Sequence, residues 1–111
     1  TNGVNGLATS ITGASQTFAG GGGGGHGPTS GGTGGGTGGA NNPASSSPSP
    51  ANTGGASGGA NDVSSGNGGS GVVFLRVATS DYTGNVTGSP TVTTDSGDTI
   101  MKFTGSGSYT A

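Results

Sequence analysis

The chain has 111 residues, of which 24% are hydrophobic, 5% are charged and none is cysteine. Ordinary globular proteins are about 45–50% apolar with glycine included, so a core can form here only where the few apolar residues cluster. The absence of cysteine excludes a disulfide framework and a thiolate metal site. Two basic residues in no cluster argue against nucleic-acid binding. The chain begins at Thr1, with no secretory leader and no apolar run that could insert into a membrane, so we expect a piece of a longer polypeptide.

Composition divides the chain into three predicted parts: a short extended segment at 1–19, a glycine-rich region at 20–71 with a Ser/Pro-rich loop at 44–53, and a C-terminal β element at 72–111. In the first part, three apolar residues recur at helical spacing, but interspersed glycines oppose a stable helix. We therefore expect short extended pieces at 10–12 and 16–19.

Glycine dominates the second part, where it fills fourteen of the twenty positions from 20 to 39. Such a composition is typical of a flexible linker, and ordering it costs about 1–2 kcal/mol per residue in backbone entropy. Collagen requires glycine at every third position, and His26, Pro28 and Ser30 each interrupt one of the three frames. A collagen triple helix is therefore excluded.

Extended polyproline-II-like helices of glycine are the other ordered form that this composition fits. Without Cβ atoms, such helices can approach closely and form hydrogen bonds between backbones. Turn-forming residues at 26–30, 41–43 and 61–65 separate the glycine runs. We predict polyglycine-II-like rods over 20–71, with little α-helix and few residues in β-ladders.

The third part begins with the one concentrated apolar run, VVFLRV at 72–77, which predicts a strand buried on most of both faces. Segments 91–94 and 99–104 flank the DSGD sequence at 95–98, a hairpin signal. Residues 108–111 suggest a last short strand. The predicted fold class is all-β or irregular: an ordered polyglycine-II-like region followed by a small antiparallel β element that holds most of the buried apolar side chains.

Candidate catalytic and ion-binding residues are few. His26 is the only histidine, and its glycine neighbours favour packing at the end of a rod over general-base chemistry. Asp95 and Asp98 could bind a cation, but the ligand series of a calcium loop is absent and turn formation is favoured. Arg76 and Lys102 are expected to face solvent or to pair with aspartates. We expect no enzyme activity, no metal and no cofactor.

Aromatic and modifiable residues allow two interpretations each. Phe74 and Phe103 are expected in the small core, whereas Tyr82 and Tyr109 could equally contribute to the core or contact a receptor. Asn85-Val86-Thr87 is the only N-glycosylation sequon, or simply part of a turn between strands. The Ser/Pro-rich loop could carry O-linked sugars, although an exposed loop is favoured.

Four blocks carry a resemblance to a known family: SITGASQTFA at 10–19 followed by six glycines, ANTGG at 51–55, GGSGVVFLRV at 68–77, and TIMKFTGSGSYT at 99–110. In this order they resemble the glycine-rich C-terminal domain of bacteriophage tail fibres and tail adhesins. The resemblance covers essentially the whole chain and implies a polyglycine-helix scaffold whose variable loops contact a host receptor. The Ser/Pro stretch at 44–50 departs from the pattern, so loop lengths cannot be transferred.

The resemblance implies a non-enzymatic attachment module in the virion tail. Its expected partners are other copies of itself, adjoining fibre proteins and a host cell-surface receptor, either protein or glycan. The candidate receptor contacts are His26, Ser47, Pro48, Tyr82 and Tyr109. The alternative is a repeating subunit of a secreted or cell-surface fibril, which could be glycosylated and has no receptor role. An ice-binding protein ranks last, because Thr33 and Thr37 are out of step with three residues per turn.

Little apolar surface and no disulfide leave backbone hydrogen bonds to offset the ordering entropy. We therefore expect the chain to be stable only in an assembly, because the outer backbone groups of a few rods need partners from neighbouring chains. The strand at 72–77 is expected near an intersubunit seam.

Overall fold

The structure is a computed structural model that describes residues 1–26, 29–35, 46–60 and 64–111. The turn predicted at 41–43 lies outside the described residues, as do residues 27–28 of the turn predicted at 26–30 and residues 61–63 of the turn predicted at 61–65. The chain forms two compact units. Residues 1–8 and 17–71 make up one, here called the glycine-rich unit; residues 9–16 and 72–111 make up the other, called the sheet unit.

Seven short strands and one 3-10 helix make up the regular structure of the described residues: β1 (Leu7–Thr9), β2 (Gln16–Phe18), β3 (Val73–Ala78), the 3-10 helix (Thr79–Asp81), β4 (Val86–Thr87), β5 (Thr91–Asp95), β6 (Asp98–Phe103) and β7 (Ser108–Tyr109). They form three sheets, of strand order β1-β2, β3-β6-β5 and β4-β7. The described residues contain no α-helix, which confirms the all-β class. None of their helical segments has the length and apolar character to cross a membrane.

The first predicted strand was placed wrongly, whereas the second is confirmed as β2. Residues 10–12 form a turn instead, and the strand lies earlier, at Leu7–Thr9. The N–H of Gly13 donates to the carbonyl of Ser10 at 3.0 Å and closes this turn. Gly13 has a φ of 88°, a conformation that glycine adopts without strain. The turn signal at Gly13 therefore outweighs the apolar side chain of Ile11.

The described residues between 20 and 71 contain no helix and no strand, as predicted for this region. Segments without regular secondary structure are instead joined by backbone hydrogen bonds that recur three residues apart. In one pair of segments, Gly3 and Gly6 donate to the carbonyls of Ser30 and Thr33 at 2.9 and 3.2 Å. The same spacing of three occurs elsewhere in the glycine-rich unit. The N–H groups of Ala56 and Gly59 donate to the carbonyls of Gly20 and Gly23, and those of Gly21 and Gly24 donate to the carbonyls of Val4 and Thr1.

Close approach between backbones explains why so many of these positions are glycine. A Cβ added to Gly55 would overlap the carbonyl oxygen of Gly34, and one added to Gly22 would overlap that of Ser57. A Cβ added to Gly32 would likewise overlap the backbone of Val4. Any side chain at these positions would force neighbouring segments apart, so glycine is required here for space.

The main sheet of the sheet unit is built on the hairpin β5–β6. The register pairs Asp95 with Asp98, which leaves Ser96 and Gly97 as a two-residue turn. Their φ angles are 51° and 89°, and a type I′ turn requires positive φ at both positions. The hairpin predicted from the DSGD sequence is thus confirmed, and β7 confirms the last short strand.

Strand β6, rather than β3, carries the core. The buried hydrophobic residues among the described positions are Ile100, Met101 and Phe103, all on β6, and Met101 is completely inaccessible to solvent. Burial of β3 on both faces was wrong, because Val73 is 57% and Leu75 is 37% exposed. The reason is topological: β3 lies at the edge of the sheet, and β6 occupies its centre.

Candidate functional site

Tyr82 and Tyr109, both predicted as candidate receptor contacts, lie against each other in the sheet unit. Their ring centroids are 5.9 Å apart, and the ring planes differ by 18°, which is a stacked arrangement. The hydroxyl of Tyr109 donates to the carbonyl of Asp81 at 3.2 Å and accepts a hydrogen bond from the N–H of Thr83 at 3.4 Å. Both rings are only half-buried, so the pair forms a rigid aromatic surface that remains accessible. We call these two residues the tyrosine pair.

The β4–β7 ribbon fixes the position of this pair. Its register sets Val86 opposite Tyr109 and Thr87 opposite Ser108. The hydroxyls of Thr87 and Ser108 lie 2.7 Å apart, and the N–H of Thr110 donates to the carbonyl of Asn85 at 3.0 Å. Asn85 is exposed and directly precedes β4, so the sequon begins at the end of the ribbon that carries Tyr109. Its glycosylation stays a prediction.

An open cleft of about 280 Å³ lies beside the tyrosine pair and shares Tyr109 with it. It is lined by Val73, Leu75 and Phe103 and by residues 105–109. None of the lining residues carries a charge. A cleft lined by apolar residues and by serines suits a neutral ligand with both apolar and hydroxyl surfaces.

Arg76 pairs with both aspartates of the hairpin turn, which is one of the two alternatives expected from the sequence. Its Nε lies 2.7 Å from Oδ2 of Asp98, and its Nη2 lies 2.9 Å from Oδ2 of Asp95. Hydrogen bonds to Asp98 and then to Asp95 raise the pKa of Arg76 above its ordinary value. Nη1 also lies 3.5 Å from the carbonyl of Ile11, so the guanidinium joins the turn at 10–13 to the sheet. This geometry indicates a structural role for the two carboxylates.

A metal centre finds no support in the described part of the chain. There, no group of three or more His, Cys, Asp or Glu side chains could hold a metal ion. His26 is exposed and lies in the glycine-rich unit. Packing of His26 at the end of a rod stays a prediction.

The other predicted contacts, Ser47 and Pro48, also lie in the glycine-rich unit. Pro48 is exposed and Ser47 is half-buried, with its carbonyl accepting the N–H of Gly58 at 3.4 Å. The structure brings Tyr82 and Tyr109 together, while receptor contact by any of the five candidates stays a prediction.

Sequence reasoning missed Val73 and Leu75 as surface residues, because it assigned the whole apolar run to the core. Their exposure follows from the edge position of β3, and a position within a sheet is not encoded by an isolated run of apolar residues. Phe103 was correctly expected in the core, where it is 7% exposed.

No family model, curated protein or solved structure matches this chain. Its function is therefore inferred from the geometry described above and from the resemblance of its sequence blocks.

Proposed function

We propose that this chain is a non-enzymatic structural and host-attachment module of a phage tail fibre or tip adhesin, in which a glycine scaffold presents loops to a cell-surface receptor. One observation carries the proposal: in the glycine-rich unit, backbone hydrogen bonds between segments recur every three residues, as with Gly3 and Gly6. A scaffold held by its backbone leaves the side chains of its connecting loops free to vary. This is what an attachment protein under selection by changing receptors requires.

The spacing of three supports polyglycine-II-like helices over residues 20–71. A helix with three residues per turn directs every third amide toward the same neighbour. Backbone bonds of this kind contribute only about 0.5–1.5 kcal/mol each, so they must be numerous. The close approach at Gly55 and Gly22 fits the same arrangement, because helices without Cβ atoms can pack at backbone contact.

Receptor contact by the tyrosine pair is supported by its chemistry. Aromatic residues with an apolar ring and a polar hydroxyl are enriched where proteins bind partners. The adjoining uncharged cleft offers apolar side chains and hydroxyl groups side by side. A neutral surface glycan matches both features, since a sugar ring presents apolar C–H faces and a rim of hydroxyls.

Binding of the purified chain to bacterial cells of several species, and to their isolated surface polysaccharides, tests the proposal. We expect saturable binding to a subset of cells and a loss of roughly tenfold or more in affinity for Tyr82→Ala, which removes a stacking ring. Val92→Ala, at an exposed position of β5, is the matched control and should bind normally. Absence of binding to every cell and polysaccharide would argue against attachment.

The alternative, a fibril subunit without a receptor, is favoured by one feature of the sheet. Strand β5 lies at an edge, and residues 91–94 are exposed. An uncovered edge strand can pair with a strand of another chain and propagate. Electron microscopy of the purified chain decides between the two, because filaments of repeated subunits would support the fibril and discrete particles the attachment module.

A further inference from the structure

The sequence contains three Asn-Gly dipeptides: Asn2-Gly3, Asn5-Gly6 and Asn67-Gly68. This dipeptide is chemically labile, because the backbone nitrogen after asparagine can attack the side-chain carbonyl carbon. Glycine offers no Cβ to hinder the attack. All three dipeptides lie among the described residues, so their environments can be compared directly.

In each of the first two dipeptides, both reactive groups form hydrogen bonds to a neighbouring segment. The N–H of Gly3 donates to the carbonyl of Ser30 at 2.9 Å, and the Oδ1 of Asn2 accepts the N–H of Ser30 at 3.0 Å. Gly6 and Asn5 repeat this arrangement around Thr33, at 3.2 and 2.9 Å. In each dipeptide, the backbone nitrogen that would attack and the side-chain amide that it would attack are both hydrogen-bonded to the same residue, Ser30 or Thr33.

The third dipeptide has no such restraint. Asn67 and Gly68 are both exposed. In the part of the chain that the structure describes, neither the side-chain amide of Asn67 nor the N–H of Gly68 has a hydrogen-bond partner. The carbonyl of Asn67 accepts the N–H of Ser49 at 3.0 Å, but this group takes no part in the reaction.

We propose that Asn67 is a site of spontaneous deamidation in the folded protein, while Asn2 and Asn5 are protected by the fold. The nitrogen of Gly68 loses its proton to hydroxide and forms a bond to Cγ of Asn67. Water then protonates the side-chain amide nitrogen and is converted back to hydroxide, the C–N bond breaks and ammonia leaves, which produces a succinimide. Water adds to either carbonyl of the ring, opening it to aspartate or isoaspartate. No oxidant, metal or enzyme is needed.

The reaction alters the glycine-rich unit as well as its charge. One negative charge is added, and isoaspartate inserts a methylene group into the backbone before Gly68. Beyond that point, Gly69 donates to the carbonyl of Gly55 at 2.8 Å, and the carbonyl of Ser70 accepts the N–H of Gly54 at 2.9 Å. A longer backbone displaces both groups relative to their partners. Deamidation at Asn67 therefore acts as a slow ageing reaction of this segment.

The test is incubation of the purified chain in mildly alkaline heavy-oxygen water, followed by peptide mass spectrometry of all three sites. In native buffer, we expect Asn67 to deamidate roughly tenfold or more faster than Asn2 and Asn5, because hydrogen-bonded groups react only through local opening. In concentrated urea, the three rates should converge. Equal rates in native buffer, or reaction of Asn67 only in urea, would overturn the proposal.

Gly68→Ala provides a matched variant. A Cβ at this position would lie 3.4 Å from the carbonyl oxygen of Gly55, an ordinary van der Waals distance, so the variant should fold normally. We expect its rate at Asn67 to fall roughly tenfold or more in both native buffer and urea, since the methyl group hinders attack by the nitrogen that carries it. An unchanged rate would show that the loss of ammonia proceeds by direct hydrolysis and not through the succinimide.

Discussion

Glycine serves two different purposes in this chain, which Gly55 and Gly22 in the glycine-rich unit and Gly97 in the sheet unit illustrate. In the glycine-rich unit, Gly55 and Gly22 are required because neighbouring backbones leave no room for a Cβ atom. In the sheet unit, Gly97 has open space around it but a φ of 89°, so it is required for its conformation. The sheet unit derives its stability from side chains buried on β6. The glycine-rich unit depends instead on contact between backbones, which makes it sensitive to the smallest possible side chain.

Gly55→Ala should have the largest effect. The added methyl group would overlap the carbonyl oxygen of Gly34. Because a backbone rather than a flexible side chain must move, we expect the free energy of unfolding to fall by about 4 kcal/mol or more, at the upper end of overpacking effects. Denaturant titration measures it. Gly71→Ala, where an added Cβ meets nothing within 4 Å, is the control and should change stability by less than about 0.5 kcal/mol.

Met101→Ala should have the next largest effect, because it removes the most buried side chain of the sheet unit. Truncating a buried methionine costs about 2–5 kcal/mol through lost transfer energy and the cavity left behind. Amide exchange of β6 should therefore accelerate strongly. Val92→Ala truncates a side chain that is 41% exposed on the adjacent strand and should have a much smaller effect. Similar losses for both variants would show that burial on β6 does not stabilise the unit.

Arg76→Gln should lower the melting temperature by a few degrees, because it breaks two partly exposed ion pairs and the contact with Ile11. The pKa of Arg76 is raised by Asp98 and Asp95. A raised pKa stabilises the fold at every pH below the ordinary arginine value and ceases to do so only as the pH rises through the raised value. The difference between wild type and variant should thus stay constant from neutral to moderately alkaline pH.

Lys102→Gln is the matched control for this prediction, since it also removes one positive charge from the same sheet. It should leave the melting temperature nearly unchanged. If both variants lowered it equally, net charge rather than the contacts of Arg76 would be responsible.

Gly97→Ala should have a much smaller effect than Gly55→Ala and sharpens the contrast between the two positions. No atom lies within 4 Å of an added Cβ at this position, so only the positive φ opposes the substitution. We expect a loss of about 1–2 kcal/mol, the usual penalty of the left-handed conformation for a residue with a Cβ atom. Gly97→Asn should recover part of it, because asparagine tolerates this conformation better. A loss as large as that of Gly55→Ala would remove the distinction between the two uses of glycine.

The sequence predicted those elements whose signals are local. Turn chemistry located the hairpin around Ser96 and Gly97, and composition predicted the lack of helices and ladders among the described residues between 20 and 71. The exposure of Val73 could not be predicted, because an apolar run does not reveal whether its strand lies at the centre or edge of a sheet. The contacts of Asn2 and Asn5 were also missed, since Ser30 and Thr33 follow them by 28 residues in sequence.

The tyrosine pair was predicted only as two separate candidates. Tyr82 and Tyr109 are 27 positions apart in the printed sequence, and their stacking depends on the pairing of β4 with β7. Strands of two residues carry almost no periodic signal. The residue types were therefore recognisable in the sequence, but their joint surface was not.

The hydrogen bonds of Gly3 and Gly6 also restrict how this segment can change in length during evolution. Their acceptors, Ser30 and Thr33, are three residues apart as well, so the two segments match only in steps of three. Inserting one residue between Gly3 and Gly6 would shift the second Asn-Gly dipeptide away from Thr33. Inserting three would restore the match and extend the segment by one repeat. Natural length variants of this region are therefore expected to differ by multiples of three residues, that is, by nine nucleotides or multiples of nine in the gene.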